Sequence, residues 1–141
     1  MYPSKSAYTS SQVEGYSPER LVLAMFDAAL RNLGWASDAL ERGDLSRKGT
    51  NISKTLAIVN ELQASLNKEA GGELAERLDG LYVYVSGRLV EANVENDAEK
   101  IAEVRGLLQT VRDGWAEMLE ETGPPAAQGS AASAQAGKIY V

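Results

Sequence analysis

Between Ser17 and Thr122 the apolar residues recur at steps of three and four, in four successive stretches separated by glycine, asparagine or aspartate. That period returns a side chain to the same face of an α-helix once per turn, whereas a strand needs a period of two. The first stretch opens on Ser17-Pro18, a capping hydroxyl followed by a proline at a position where its missing N–H costs nothing. Leu23, Phe26, Leu30, Leu33 and Leu40 form its stripe, and Gly43 supplies the left-handed stop. A second helix starts near Asp44 or Ser46 and carries Ile52, Leu56, Val59, Leu62 and Leu66. Gly71-Gly72 is read as the break before a third, which carries Leu74, Leu78, Leu81, Tyr82, Val85, Leu89 and Ala92. Asn96 or Asp97 opens a fourth, with Ile101, Val104, Leu108, Val111, Trp115, Met118 and Leu119, closed by Thr122-Gly123-Pro124-Pro125.

Each stretch holds about 20–25 residues, or about 30–38 Å of helix at ~1.5 Å per residue. Short links between long helices of similar length force antiparallel neighbours. The expected fold is therefore all-α, an antiparallel up-down four-helix bundle over residues 17–122. Residues 1–16 read as a polar N-terminal arm, and residues 123–141 as a low-complexity, disordered tail of Ala, Gly, Ser and Pro.

Composition then removes whole classes of function. The 141 residues include no histidine and no cysteine. Disulfides, thiolate and imidazole metal sites, cysteine nucleophiles and Ser-His-Asp triads are excluded. A di-iron centre, the usual cofactor of a bundle, needs Glu-x-x-His pairs and is excluded with them. No cofactor and no enzymatic activity are expected. The net charge is −6, and the bundle region alone holds 12 bases and 19 acids, net −7, which argues against nucleic acid as a partner. No apolar run reaches membrane-spanning length and the N-terminus has no apolar signal core, so the expected location is the cytosol, without membrane insertion. Glu73/Glu76 and Glu99/Glu103 lie one turn apart among Arg77, Lys100 and Arg105, the pattern of a solvated, ion-paired face. An enzyme would need a polar pocket enclosing at least two arginines and a carboxylate.

Two features exceed what core packing asks for. Apolar residues spill beyond a single stripe: Leu21, Val22, Met25 and Trp35 on the first helix, Ile58 on the second, Val83 and Tyr84 on the third, Leu107 on the fourth. A second apolar sector suits a groove that receives a partner helix. Gly80, Gly87, Gly106 and Gly114 fall inside helices, where each costs about 1 kcal/mol against alanine. They imply close backbone approach by a neighbouring helix or by a ligand chain.

An ordered set of segments carries a resemblance. It consists of Met25-Phe26-Asp27-Ala28-Ala29-Leu30, Ser53-Lys54, Leu66 with Glu69, Gly71-Gly72-Glu73-Leu74, Leu81-Tyr82-Val83-Tyr84-Val85, Arg88-Leu89, Ala92-Asn93, Asn96-Asp97, Glu103-Val104 and Trp115. With its spacing, the set resembles FliS, the family of bacterial flagellin export chaperones. Ala28 stands where the family more usually has glycine, the arm is short, and the tail has no counterpart.

The resemblance implies a chaperone that binds the disordered C-terminal segment of flagellin as helices laid against the bundle. It would cover the stripes that drive polymerisation and hand the subunit to the flagellar export gate. Tyr8 matches the family's N-terminal tyrosine, and Gln12, Val13 and Tyr16 are candidates beside it, in an arm expected to bind flagellin or to plug the groove when flagellin is absent. For the groove wall the expected residues are Ile52, Leu56, Val59, Tyr84, Asn93 and Leu107. Asn93 has a second reading as a cap for the turn to the fourth helix, and Tyr82 is assigned to the core. The exposed groove also permits a homodimer in the free state. The alternative function is a generic helical adaptor or secretion chaperone for a different amphipathic helix.

Overall fold

A computed structural model describes residues 17–122. Four α-helices follow one another: α1 (Pro18–Glu41), α2 (Leu45–Ala64), α3 (Lys68–Glu95) and α4 (Ala98–Thr122). Each packs against the next, and α4 closes the ring on α1. With links of only a few residues, successive helices run antiparallel, which is the up-down four-helix bundle the periodicity predicts.

Local chemistry sets the ends. Ser17 caps α1 by accepting from the Arg20 N–H at 3.2 Å. Gly43, at φ +78°, closes α1 with a pair of reverse hydrogen bonds, Gly43 N–H to Leu40 O and Asp44 N–H to Ala39 O. Asp44 then caps α2 through the Arg47 N–H. Asn96 ends α3 in the left-handed conformation at φ +53°, and Asp97 caps α4 through the N–H groups of Glu99 and Lys100.

Two boundaries differ from expectation. Gly71-Gly72 does not begin α3, because Asn67 already caps it by accepting from the Ala70 N–H, and Gly72 (φ +56°, ψ −127°) is a kink within it. Leu66 lies past the end of α2, where Ser65 is the cap residue, yet it still packs on the core.

The core runs the length of the bundle: Phe26, Leu33, Ile52, Val59, Val85, Leu89, Ile101, Val104 and Leu108 are all essentially inaccessible. Burying each large aliphatic or aromatic side chain stabilises the fold by about 1.5–3 kcal/mol. Polar contacts fix the helices in register around that core. Trp115 Nε1 donates to Glu19 O at 2.8 Å and Arg112 Nε to Asp27 Oδ1 at 2.8 Å, which ties α4 to α1. Lys48 Nζ donates to Asn93 Oδ1 at 2.6 Å and to Asn93 O at 2.9 Å, which ties α2 to α3.

Candidate functional site: an outward apolar stripe on α3

The core stripe of α3 passes through Tyr82, Val85, Leu89 and Ala92, all buried. At ~100° per residue, the set 80, 83, 87, 90 and 94 falls on the opposite face. Its members are Gly80, Val83, Gly87, Val90 and Val94. The three valines are 57%, 50% and 77% exposed. A Cβ added at Gly80 or Gly87 would meet nothing within 4 Å. These glycines are therefore not sites of close packing within the bundle, and Gly106 and Gly114 are equally open. That corrects half of the sequence expectation: no neighbouring helix approaches them. On α3 they instead leave a flat, apolar track between the exposed valines.

One edge of the track is held rigid. Tyr84, itself 45% exposed, donates its hydroxyl to Glu103 Oε2 at 2.5 Å, while Arg88 Nε donates to Glu103 Oε1 at 2.8 Å. Arg88 also reaches Glu91 at 3.1 Å and lies 5.8 Å from the Tyr84 ring centre. Lys100 continues the network to Glu91 and Glu95 at 3.2 and 2.7 Å. The carboxylates Glu103 and Glu91 thus spend their charge on α3–α4 contacts and leave the stripe uncharged.

This network has a pH signature. The Tyr84 hydroxyl, and then Arg88, hold the Glu103 carboxyl below its ordinary 4.5, and Lys100, and then Arg88, do the same to Glu91. A lowered folded-state value means the contribution is fully present above the unfolded value and lost as pH falls through the folded one. The expected result is that thermal stability falls as pH drops below about 4.5, and that Arg88→Met flattens the fall. Melting curves in a pH series check it. An unchanged slope in the variant would remove the network from the account.

A second apolar feature is a hollow of about 270 Å³ between the N-terminal half of α3 and the C-terminal half of α4. Leu74, Leu78, Val111 and Trp115 wall it, over Phe26 and Leu62.

The expected site residues divide. Tyr84 stands beside the stripe, and Leu56 and Leu107 are half-buried against the core with an exposed edge. Ile52 and Val59 are corrected: both are fully enclosed, because their face of α2 points into the bundle, and neither can touch a partner of the folded chain. Asn93 is half-buried and does not cap α4, since Asp97 does the capping, while both Asn93 oxygens hold Lys48. Tyr8, Gln12, Val13 and Tyr16, with the rest of the arm and the tail, lie outside the described residues. Val90 and Val94 were missed by the sequence reading. Their signal was the four-three-four step from Val83 through Gly87.

The remaining surface offers little chemistry. Among the described residues no group of three or more acidic side chains could hold a metal ion, and no helix is long and apolar enough to cross a membrane. Two arginines, Arg42 and Arg47, do share a groove with Asp38 and Asp44, but the Arg47 side chain is 81% exposed. An open groove of this kind does not exclude the water that an enzyme site must exclude.

The family model "Flagellar protein FliS" matches residues 1–122. Among curated relatives, the chain is 42% identical over 105 residues to the flagellar secretion chaperone FliSB of Pseudomonas aeruginosa, a match covering 74% of this chain and 83% of that one. It is 40% identical over 121 residues to the flagellar secretion chaperone FliS of Salmonella typhimurium, covering 77% and 90%. With the namesake from Bacillus subtilis the identity is 33% over 115 residues, covering 82% and 85%.

Proposed function

The chain belongs to the FliS family, and from that premise we propose that it is an export chaperone for flagellin. In this reading it binds the disordered C-terminal region of flagellin in the cytosol, prevents premature polymerisation and delivers the subunit to the flagellar type III export gate. The observation that supports it most is the α3 track of Val83, Val90 and Val94 with Gly80 and Gly87 between them. An amphipathic helix laid along that track would bury its own apolar stripe against it, which is helix-in-groove recognition. Ordering a disordered segment costs about 2–5 kcal/mol or more, so the contact must be extended and apolar to offset it. Four turns of exposed apolar helix meet that need better than any single pocket. Leu56, Tyr84 and Leu107 are proposed as flanking contacts. Tyr8, Gln12, Val13 and Tyr16 are proposed as contacts from the arm. Nothing in this mechanism calls for a cofactor or a catalysed step.

The test is a binding titration with full-length flagellin and with flagellin lacking its C-terminal segment. Full-length flagellin should bind and the truncated form should lose at least about 100-fold, or about 2.7 kcal/mol, in affinity. Removal of residues 1–16 should weaken capture of the full-length partner. Equal binding of both flagellins would overturn this reading in favour of a general helical adaptor.

A further inference from the structure

The acidic excess of this chain makes its unpaired bases conspicuous. Arg77, Arg88, Lys100, Arg112 and Lys68 each have a carboxylate within 4.0 Å. Arg20, Arg31, Arg42, Lys48, Lys54 and Arg105 have none among the described residues, although the chain as a whole carries a net −6. Arg31, Arg42 and Lys54, half of that set, gather about one feature, the groove between the outer faces of α1 and α2. It encloses about 560 Å³, with Trp35, Asp38 and Arg42 on one wall and Arg47, Asn51 and Lys54 on the other. Arg31 lies just above, its guanidinium 5.7 Å from the centre of the Trp35 ring. Asp38 precedes Arg42 by one turn and still makes no ion pair with it. Trp35 is 51% exposed, on a face of α1 that no helix of the bundle covers.

We propose that this groove is a second docking surface, separate from the α3 stripe, for an acidic peptide segment that also carries apolar side chains. Carboxylates of the segment pair with Arg42 and Lys54, and an apolar side chain lies against the Trp35 ring. The charges are exposed, so each pair contributes little. Their larger effect is to steer and orient an acidic partner on a molecule that otherwise repels one. A bilayer cannot follow a concave, polar-walled surface.

The probe is a capped helical peptide of about four turns with glutamate and leucine alternating on one face at helical spacing, beside a reference peptide with lysine for every glutamate. Titrated into the isotopically labelled full chain, the glutamate peptide should shift the Trp35 indole and the amides around Asn51 and Lys54, and the lysine peptide should not. Arg42→Glu with Lys54→Glu should weaken the glutamate peptide at least about tenfold, and raising salt should weaken it in the wild type. Trp35→Ala should weaken it while leaving the salt dependence in place. Arg42, Lys54 and Trp35 are all exposed, so unchanged melting temperatures should accompany these losses. The same variants should bind the flagellin C-terminal segment as the wild type does, which separates this surface from the α3 stripe. Equal affinity for the two peptides, shifts confined to α3, or tighter binding of a single-stranded RNA or an anionic vesicle than of the glutamate peptide would overturn the proposal.

Discussion

Val90→Glu is expected to lower affinity for the flagellin C-terminal segment at least about 100-fold, with the melting temperature of the free chain nearly unchanged. Val90 is half exposed and lies midway along the α3 track, so a carboxylate there sits in water while the chain is alone. Once a helix covers the track, that carboxylate is buried without a base beside it, since Arg88 already serves Glu103 and Glu91. Desolvating an unpaired charge costs several kcal/mol, and ~1.4 kcal/mol is a factor of ten in affinity. Gly87→Leu sharpens the test because its two effects have opposite signs. The added side chain meets nothing within the fold, and replacing a mid-helix glycine stabilises by about 1 kcal/mol. The same side chain stands up from the flat track and should obstruct a docked helix. A variant that melts higher and binds worse separates a binding surface from a structural one. If Val90→Glu bound flagellin as the wild type does, the stripe would not be the docking surface.

The bundle was legible because its signals are local and repetitive. Ser17, Gly43, Asp44 and Asp97 each act within four residues, and the core stripes of the described helices follow the helical period. The site was less legible for a physical reason. Helical periodicity shows that α2 and α3 are apolar on more than one face, but which face meets a neighbour depends on where the other helices pack. Ile52 and Val59 therefore looked as available as Leu56, and only tertiary burial separates them. Val90 and Val94 were overshadowed by the stronger row through Val85 and Leu89. The glycines showed their cost in sequence but not its direction: they face out, not in. The Ala92-Asn93 pair of the family resemblance offers Asn93 as a wall or a cap, whereas its hydrogen-bond partner, Lys48, is 45 residues away.

That distant pair carries the second large effect. Lys48 is only 5% exposed, and its ammonium group rests on two oxygens of Asn93, one side-chain and one backbone, with no carboxylate beside it among the described residues. The site lies in the last turn of α3, at the negative end of that helix's dipole, which favours a cation. Asn93→Ala removes the shorter hydrogen bond and leaves a buried charge with a single carbonyl. The expected cost is about 2–4 kcal/mol, from the range for breaking a buried charged contact on one side. For a domain of this size that is a drop of roughly 10–25 °C in melting temperature. Lys48→Met keeps the unbranched stem in its slot and removes the charge. The half-buried Asn93 amide can then turn toward water, so this variant should lose less than about 1 kcal/mol. The double variant should consequently be more stable than Asn93→Ala alone, which additive, independent contacts would forbid. Thermal or urea melts of the three variants measure the cycle. Additivity would mean that the pair is an incidental contact. Strong coupling would mean that a buried cation, not apolar packing alone, pins the end of α3 to α2, and with it the position of Val94 at the end of the track.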